Sequence, residues 1–173
     1  MNLDLERYLQ PDYVYRFTQG PDMVRSLDDA RHNGLNCIAL AHLVLKDLFD
    51  YELPPEFRCV ELYTDREHLE PIESMDDAQT GDLVWFGVEE PAITVEAFVP
   101  QYAGGELLNW ADFPVKHVAI CTGETNPDDD YLLLHSSRED GVNAVWPMAR
   151  FGDYRRYRKL YGISRLKNFH RKA

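Results

Sequence analysis

The sequence predicts an α+β domain in which one helix near the N-terminus packs on an antiparallel β-sheet. Two observations carry this expectation. Residues 33–49, NGLNCIALAHLVLKDLF, read as a capped helix with a mostly apolar run. Three β-rich runs follow it, GDLVWFGV from Gly81, HVAICTG from His117 and YLLLHSS from Tyr131. A helix followed by grouped strands, rather than strict alternation of the two, favours an antiparallel sheet. At 173 residues, 45% of them hydrophobic and 12% aromatic, the chain is read as a single domain, 1–173, with one core.

Residues 1–33 place Tyr8, Tyr13, Tyr15 and Phe17 before a turn at Gly20 and Pro21, and a charged segment of helical composition runs from Met23 to Arg31. Those aromatics either line a groove or pack the helix against the body. In the helix that follows, Asn36 is the N-cap. Ile38, Ala41, Leu45 and Leu48 have the spacing of a buried face, and His42, Lys46, Asp47 and Asp50 form a polar stripe. ELPPEF is then a turn, Cys59 to Tyr63 reads as a short strand, and His68 in DREHLE is expected in solvent.

The interval between Glu89 and Lys116 holds three prolines, Gly104-Gly105 and the aromatics Phe98, Tyr102, Trp110 and Phe113. Its length suits a lid or binding loop, or an extra hairpin or helix. Gly123, Asn126, Pro127 and three Asp make a turn between the next two strands. A hairpin joining 122 to 131 sets residues whose numbers sum to about 253 opposite one another, which brings His117 beside Ser136 and His135. VNAVWPMARF is a strand ended by Pro147, and YRRYRKLYGISRL is a last strand or strand pair that completes the sheet.

The formal charge of −12 is uneven, because residues 150–173 hold nine of the eighteen Lys and Arg and only Asp153 among the acids. A basic tail either grips an anionic partner or balances an acidic body. The acidity of the body opposes the approach of a polyanion, so nucleic-acid binding is not expected. The three cysteines, Cys37, Cys59 and Cys121, have neither disulfide-framework nor zinc spacing, which points to a reducing compartment. The start, MNLDLERYLQ, has no basic and apolar signal, and no long apolar run occurs. The expectation is a cytoplasmic protein without membrane attachment, export by another route remaining open. Phosphate-loop, HExxH and EF-hand patterns are absent, and no metal or organic cofactor is expected.

Chemistry concentrates on three residues. A cysteine at a helix N-terminus meets free N–H groups and a partial positive charge, which favour the thiolate and can hold an oxyanion. His117 shares a strand face with Ala119 and Cys121, and His135 shares one with Leu133 and Tyr131. Two imidazoles at neighbouring strand ends can meet a thiol on a helix packed over that face. Taken singly, Cys37 also fits a small core residue, and each His a satisfied structural one.

In order and texture, NCIALAHLV, GDLVWFG, HVAICTG and the His after LLL resemble the NlpC-type papain-like cysteine peptidases, whose pattern runs DCSGLV, GDLVFF, HVGIY and a strand ending in His. The likeness covers about residues 33–166. It implies a papain-like fold, Cys37 as nucleophile, His117 as general base and His135 as the group that orients the base. It further implies amide cleavage, in peptidoglycan stem peptides for many members. The Asp and Ser that flank the nucleophile in those members are Asn36 and Ile38 here, and Ala39 stands for the usual Gly. Asn36 and Tyr15 are the expected substrate-binding residues, Tyr15 and Gly20 echoing an upstream Tyr and Gly-Gly segment. The expected activity is that of a thiol amidohydrolase acting through an acyl-thioester on a small peptide or acyl amide. The alternatives are an acyltransferase of small-molecule metabolism with the same triad, and a non-catalytic binding protein that kept the fold.

Overall fold

The computed structural model describes residues 3–167. Its helices are α1 (Leu5–Tyr8), α2 (Leu27–Asn33), α3 (Cys37–Phe49), α4 (Cys59–Thr64) and α5 (Met148–Phe151). Its strands are β1 (Leu69–Ile72), β2 (Leu83–Gly87), β3 (Tyr102–Ala103), β4 (Glu106–Leu107), β5 (Val115–Thr125), β6 (Tyr131–Ser136), β7 (Asn143–Pro147) and β8 (Lys159–Leu166). Six of them form one antiparallel sheet in the order β1-β8-β2-β5-β6-β7, while β3 and β4 make a separate hairpin. The mixed α+β class and the antiparallel sheet expected from the sequence are present.

Helix α3 forms where the capping chemistry says it should. The Asn36 side chain accepts from the Ala39 N–H at 2.9 Å, and Asp50, in the left-handed region, ends the helix. Just before it, Gly34 sits at φ +78°, and a Cβ there would collide with the Val14 carbonyl oxygen. The turn therefore brings the N-terminal segment against the helix start, where Tyr15 bridges Leu35 in parallel. The polar stripe is less exposed than its composition suggested. Ile38 to Ala41, Leu43 to Leu45 and Phe49 are buried, and His42, half-buried, is hydrogen-bonded through Nε2 to the Phe57 carbonyl at 2.9 Å.

Alternation along the strands divides two cores. Val118, Ile120, Leu134, Leu83 and Trp85 face α3, whereas Ala119, Cys121, Leu133, Val84 and Phe86 face the opposite side. That second face is closed by Trp146 of β7, Phe151 of α5 and Tyr157 in the 3-10 turn Arg155–Tyr157. Phe86 and Phe151 stack at 4.4 Å.

Several expectations need correction. The β5–β6 hairpin pairs Ile120 with Leu134 and Cys121 with Leu133, one residue away from the expected register, because the strands slip between Cys121 and Thr125 near Gly123 at φ +82°. Cys59 to Tyr63 is helix α4, not a strand; Val60 and Leu62 turn inward and Tyr63 packs edge-on against Trp85 and Phe113. His68 is not in open solvent, since it is hydrogen-bonded to Asp65 at 3.1 Å and stands beside Tyr51 and Phe57. The interval 89–116 supplies the β3–β4 hairpin and a 3-10 turn at Trp110–Asp112.

The basic C-terminal stretch also does more than balance charge. Arg165 reaches from β8 to Asp82, which is 1% exposed, with Nε and Nη2 donating at 2.9 and 2.8 Å. Asp82 in turn accepts from the Gln79 N–H at 2.8 Å, so its carboxylate ties the turn before β2 to β8. Replacing Arg165 with Met strands this buried charge and is expected to cost about 3 kcal/mol, whereas the double variant with Asp82→Asn recovers part of the loss. Urea unfolding midpoints of the three proteins check this.

Candidate functional site

The structure brings His117 and His135 together. They lie on the sheet face opposite α3, and His117 Nε2 is 2.8 Å from His135 Nδ1. Both are buried, His117 at 3% and His135 at 0% exposure. Aromatic rings enclose them. Tyr157 lies 4.6 Å from the His117 ring, and Trp146 and Phe151 lie 4.3 and 4.8 Å from His135. The Tyr157 hydroxyl is anchored by donating to the Glu139 carboxylate at 3.1 Å, and the Trp146 Nε1 donates to Asp140 at 2.7 Å.

This enclosure keeps the pair neutral. Burial, then His135 and Arg156, pushes the His117 pKa well below its ordinary value, and burial, then Arg150, lowers His135 to about 3. One proton therefore sits between Nε2 and Nδ1. If His117 donates it, His117 Nδ1 is left as a lone-pair base, and the remaining proton of His135 rests on Nε2, which has no hydrogen-bond partner among the described residues. An aromatic surround tolerates that N–H better than it would a charge.

Cys37 opens α3, and its side chain is only partly exposed. The helix packs over the face that the imidazoles do not occupy, so the thiol does not meet them across the sheet, as strand parity alone had suggested. It approaches β5 at the strand's end instead, beside the main-chain N–H of Val118, the residue after His117. Among the described residues no hydrogen bond joins Cys37 to either imidazole.

The expected depression of the thiol pKa is overturned. Burial pushes Cys37 up, and the N–H groups of Val118, Ile38 and Cys37 together with Arg156 offset this only in part. The thiol and both imidazoles are thus held in their neutral forms. Cys59 and Cys121 are also raised, chiefly by burial, and Cys59 donates to the Val115 carbonyl at 3.4 Å.

The two expected substrate-binding residues differ. Asn36 is not available to a substrate, because Oδ1 caps α3 and Nδ2 donates to the Phe17 carbonyl at 3.0 Å. Tyr15 does border the site. It is half-buried, and its pKa is raised by burial and next by Cys37. The sequence reading missed Tyr157, Trp146 and Phe151, which hold the imidazoles, and Arg156, whose charge acts on Cys37 and His117. The available signal was the run YRRYR, too rich in arginine for a strand core.

A cleft of about 470 Å³ has Lys116, Arg155 and Arg158 on its lining together with Glu89, Glu90 and Asp112, while Cys37 and the two imidazoles do not line it. Among the described residues no three His, Cys, Asp or Glu are grouped to hold a metal ion, and no helix is long and apolar enough to cross a membrane. No family model matches the chain, and no curated protein matches it.

Two measurements test the electrostatics. His42, lowered to about 4 chiefly by burial, joins His117 and His135 as a group that stays neutral in the fold. In the unfolded chain each takes up a proton below about pH 6.5, so stability falls as pH drops from there toward 4, by up to about 1.4 kcal/mol per pH unit per histidine. Melting temperatures should decline over that window, and less steeply in His42→Gln. Separately, iodoacetamide labelling should be slow at about pH 6 and accelerate toward alkaline pH, Cys37 reacting before Cys59 and Cys121 because only its anion has three N–H groups. Peptide mapping at several pH values checks the order.

Proposed function

We propose that the protein is a thiol-dependent amidohydrolase of the NlpC-type papain-like class. The observation that carries this reading is the buried, hydrogen-bonded His117–His135 pair across β5 and β6, with the amide after His117, that of Val118, beside a helix-opening thiol. A core needs neither imidazole at that place. Burying two neutral histidines against each other, with one nitrogen unpartnered, costs stability that an apolar pair would not.

In the proposed reaction the Cys37 Sγ attacks the carbonyl carbon of an amide while its proton passes to His117 Nδ1. The carbonyl oxygen becomes an oxyanion facing the Cys37 and Ile38 N–H groups of the first turn of α3. Collapse breaks the C–N bond, and His117 returns the proton to the departing amine. Water, deprotonated by the same imidazole, then releases the carboxylic acid from the thioester. His135 accepts from His117 Nε2 throughout, which leaves Nδ1 to take up and return the proton. The absent thiol–imidazole hydrogen bond is consistent with an unliganded centre, where such contacts are often long until substrate seats. Asn36, committed to its cap, and Ile38 leave no polar flank like that of the stem-peptide enzymes, which favours a small acyl amide over a long peptide.

The roles predict an order of damage. His117→Ala should lower kcat by about 10²- to 10⁴-fold, His135→Ala less, and His135→Asn least, since an amide oxygen can still accept from Nε2. Turnover is to be read on substrates found by a mass-spectrometric screen of muropeptides and acyl amides, with Cys37→Ser as the inactive reference. Full activity in His117→Ala would remove the assignment.

A further inference from the structure

Among the described residues the Arg156 guanidinium makes no hydrogen bond and no ion pair. Most of the other arginines are tied: Arg7 to Asp47, Arg58 to Asp22, Arg150 to Asp140 and Arg165 to Asp82. Those without such a tie are exposed, whereas Arg156 is half-buried. A long cation held partly out of water without a counter-ion loses both hydration and rotamer freedom, so its position calls for a ligand.

Its place in the fold is set by its neighbours. Arg156 is the middle residue of the 3-10 turn Arg155–Tyr157, whose Tyr157 ring lies 4.6 Å from His117. On the other side Arg155 lines the cleft of about 470 Å³ with Lys116, the residue before His117, and Arg158. The guanidinium is within electrostatic reach of Cys37, Tyr15, His117 and Lys116. The proposed nucleophile, its base and an unpaired cation thus share one end of the sheet.

We propose that Arg156 is the receptor for a substrate carboxylate, and that the amide cleaved at Cys37 belongs to a small acyl compound carrying that carboxylate close to its scissile carbonyl. This rests on the amidohydrolase reading and names its substrate class. A guanidinium matches a carboxylate in a two-pronged hydrogen bond, which fixes the acyl group's orientation as well as its charge. A single small anion is favoured over a polyanion, because the chain carries a net charge of −12.

Two alkylating agents of nearly equal size test the receptor without a known substrate, iodoacetate being an anion and iodoacetamide neutral. At about pH 8.5 the ratio of iodoacetate to iodoacetamide rates at Cys37 should exceed that of glutathione by about tenfold. Arg156→Gln should bring the ratio down to the glutathione value, and Arg156→Lys should keep much of it. A wild-type ratio equal to that of glutathione overturns the proposal, as does an undiminished ratio in a folded Arg156→Gln. Should the Gln variant fail to fold, the wild type decides. A ratio that shrinks between about 20 and about 500 mM salt supports the receptor, and a flat one overturns it. The catalytic reading fails separately, through amide turnover that survives Cys37→Ser or His117→Ala while the alkylation ratio stays high.

Discussion

The hydrogen bond between His117 and His135 constrains the rest of this structure. It joins side chains from two strands on the same sheet face, so it exists only if β5 and β6 pair in one register. A shift by a single residue turns one imidazole to the α3 side and breaks it. The slip near Gly123 sets that register, and the turn from α5 to Tyr157 then closes the face over the pair. Trp146, Phe151 and Tyr157 exclude water, and Asp140 and Glu139 satisfy the polar atoms of the two outer rings. A charged imidazole in that space has lost its hydration without gaining a carboxylate, which is why both histidines are held neutral.

The thiol is placed by a different compromise. A helix N-terminus favours an anion, and Cys37 has three amides to receive one. The same packing that makes α3 the centre of the core removes solvent from the sulfur, and loss of hydration outweighs the amides. In the proposed chemistry, charge develops where N–H groups and Arg156 already stand, so little reorganisation accompanies the reaction.

The class of the fold, α3 with its Asn36 cap, and the strands around Gly81, His117 and Tyr131 were all readable from the sequence. Each rests on local physics: a side chain that bonds an amide three residues on, or alternation of apolar residues along a strand. Cys37 and the two histidines stood out for the same reason. Cys59–Thr64 was misread because its Val and Tyr favour a strand, and only packing against Trp85 and Phe113 makes it a helix. His68 looked like a surface residue because its neighbours are charged, and His42 because it falls on the helix stripe of Lys46 and Asp50; their partners, Asp65 and the Phe57 carbonyl, are set by how the chain turns.

By itself the sequence determined the helix that Cys37 opens and the strands that carry His117 and His135, and it singled out those three side chains. Tertiary structure alone decided the register of β5 and β6, the face on which the imidazoles lie, the direction of the Cys37 pKa and the arrival of Arg156 beside it. The division has a physical origin. Caps and alternation act over a few residues and are written in order along the chain. Burial and Coulomb interactions depend on distances in space, here between Cys37 at the first helix turn of the core and an arginine more than a hundred residues later.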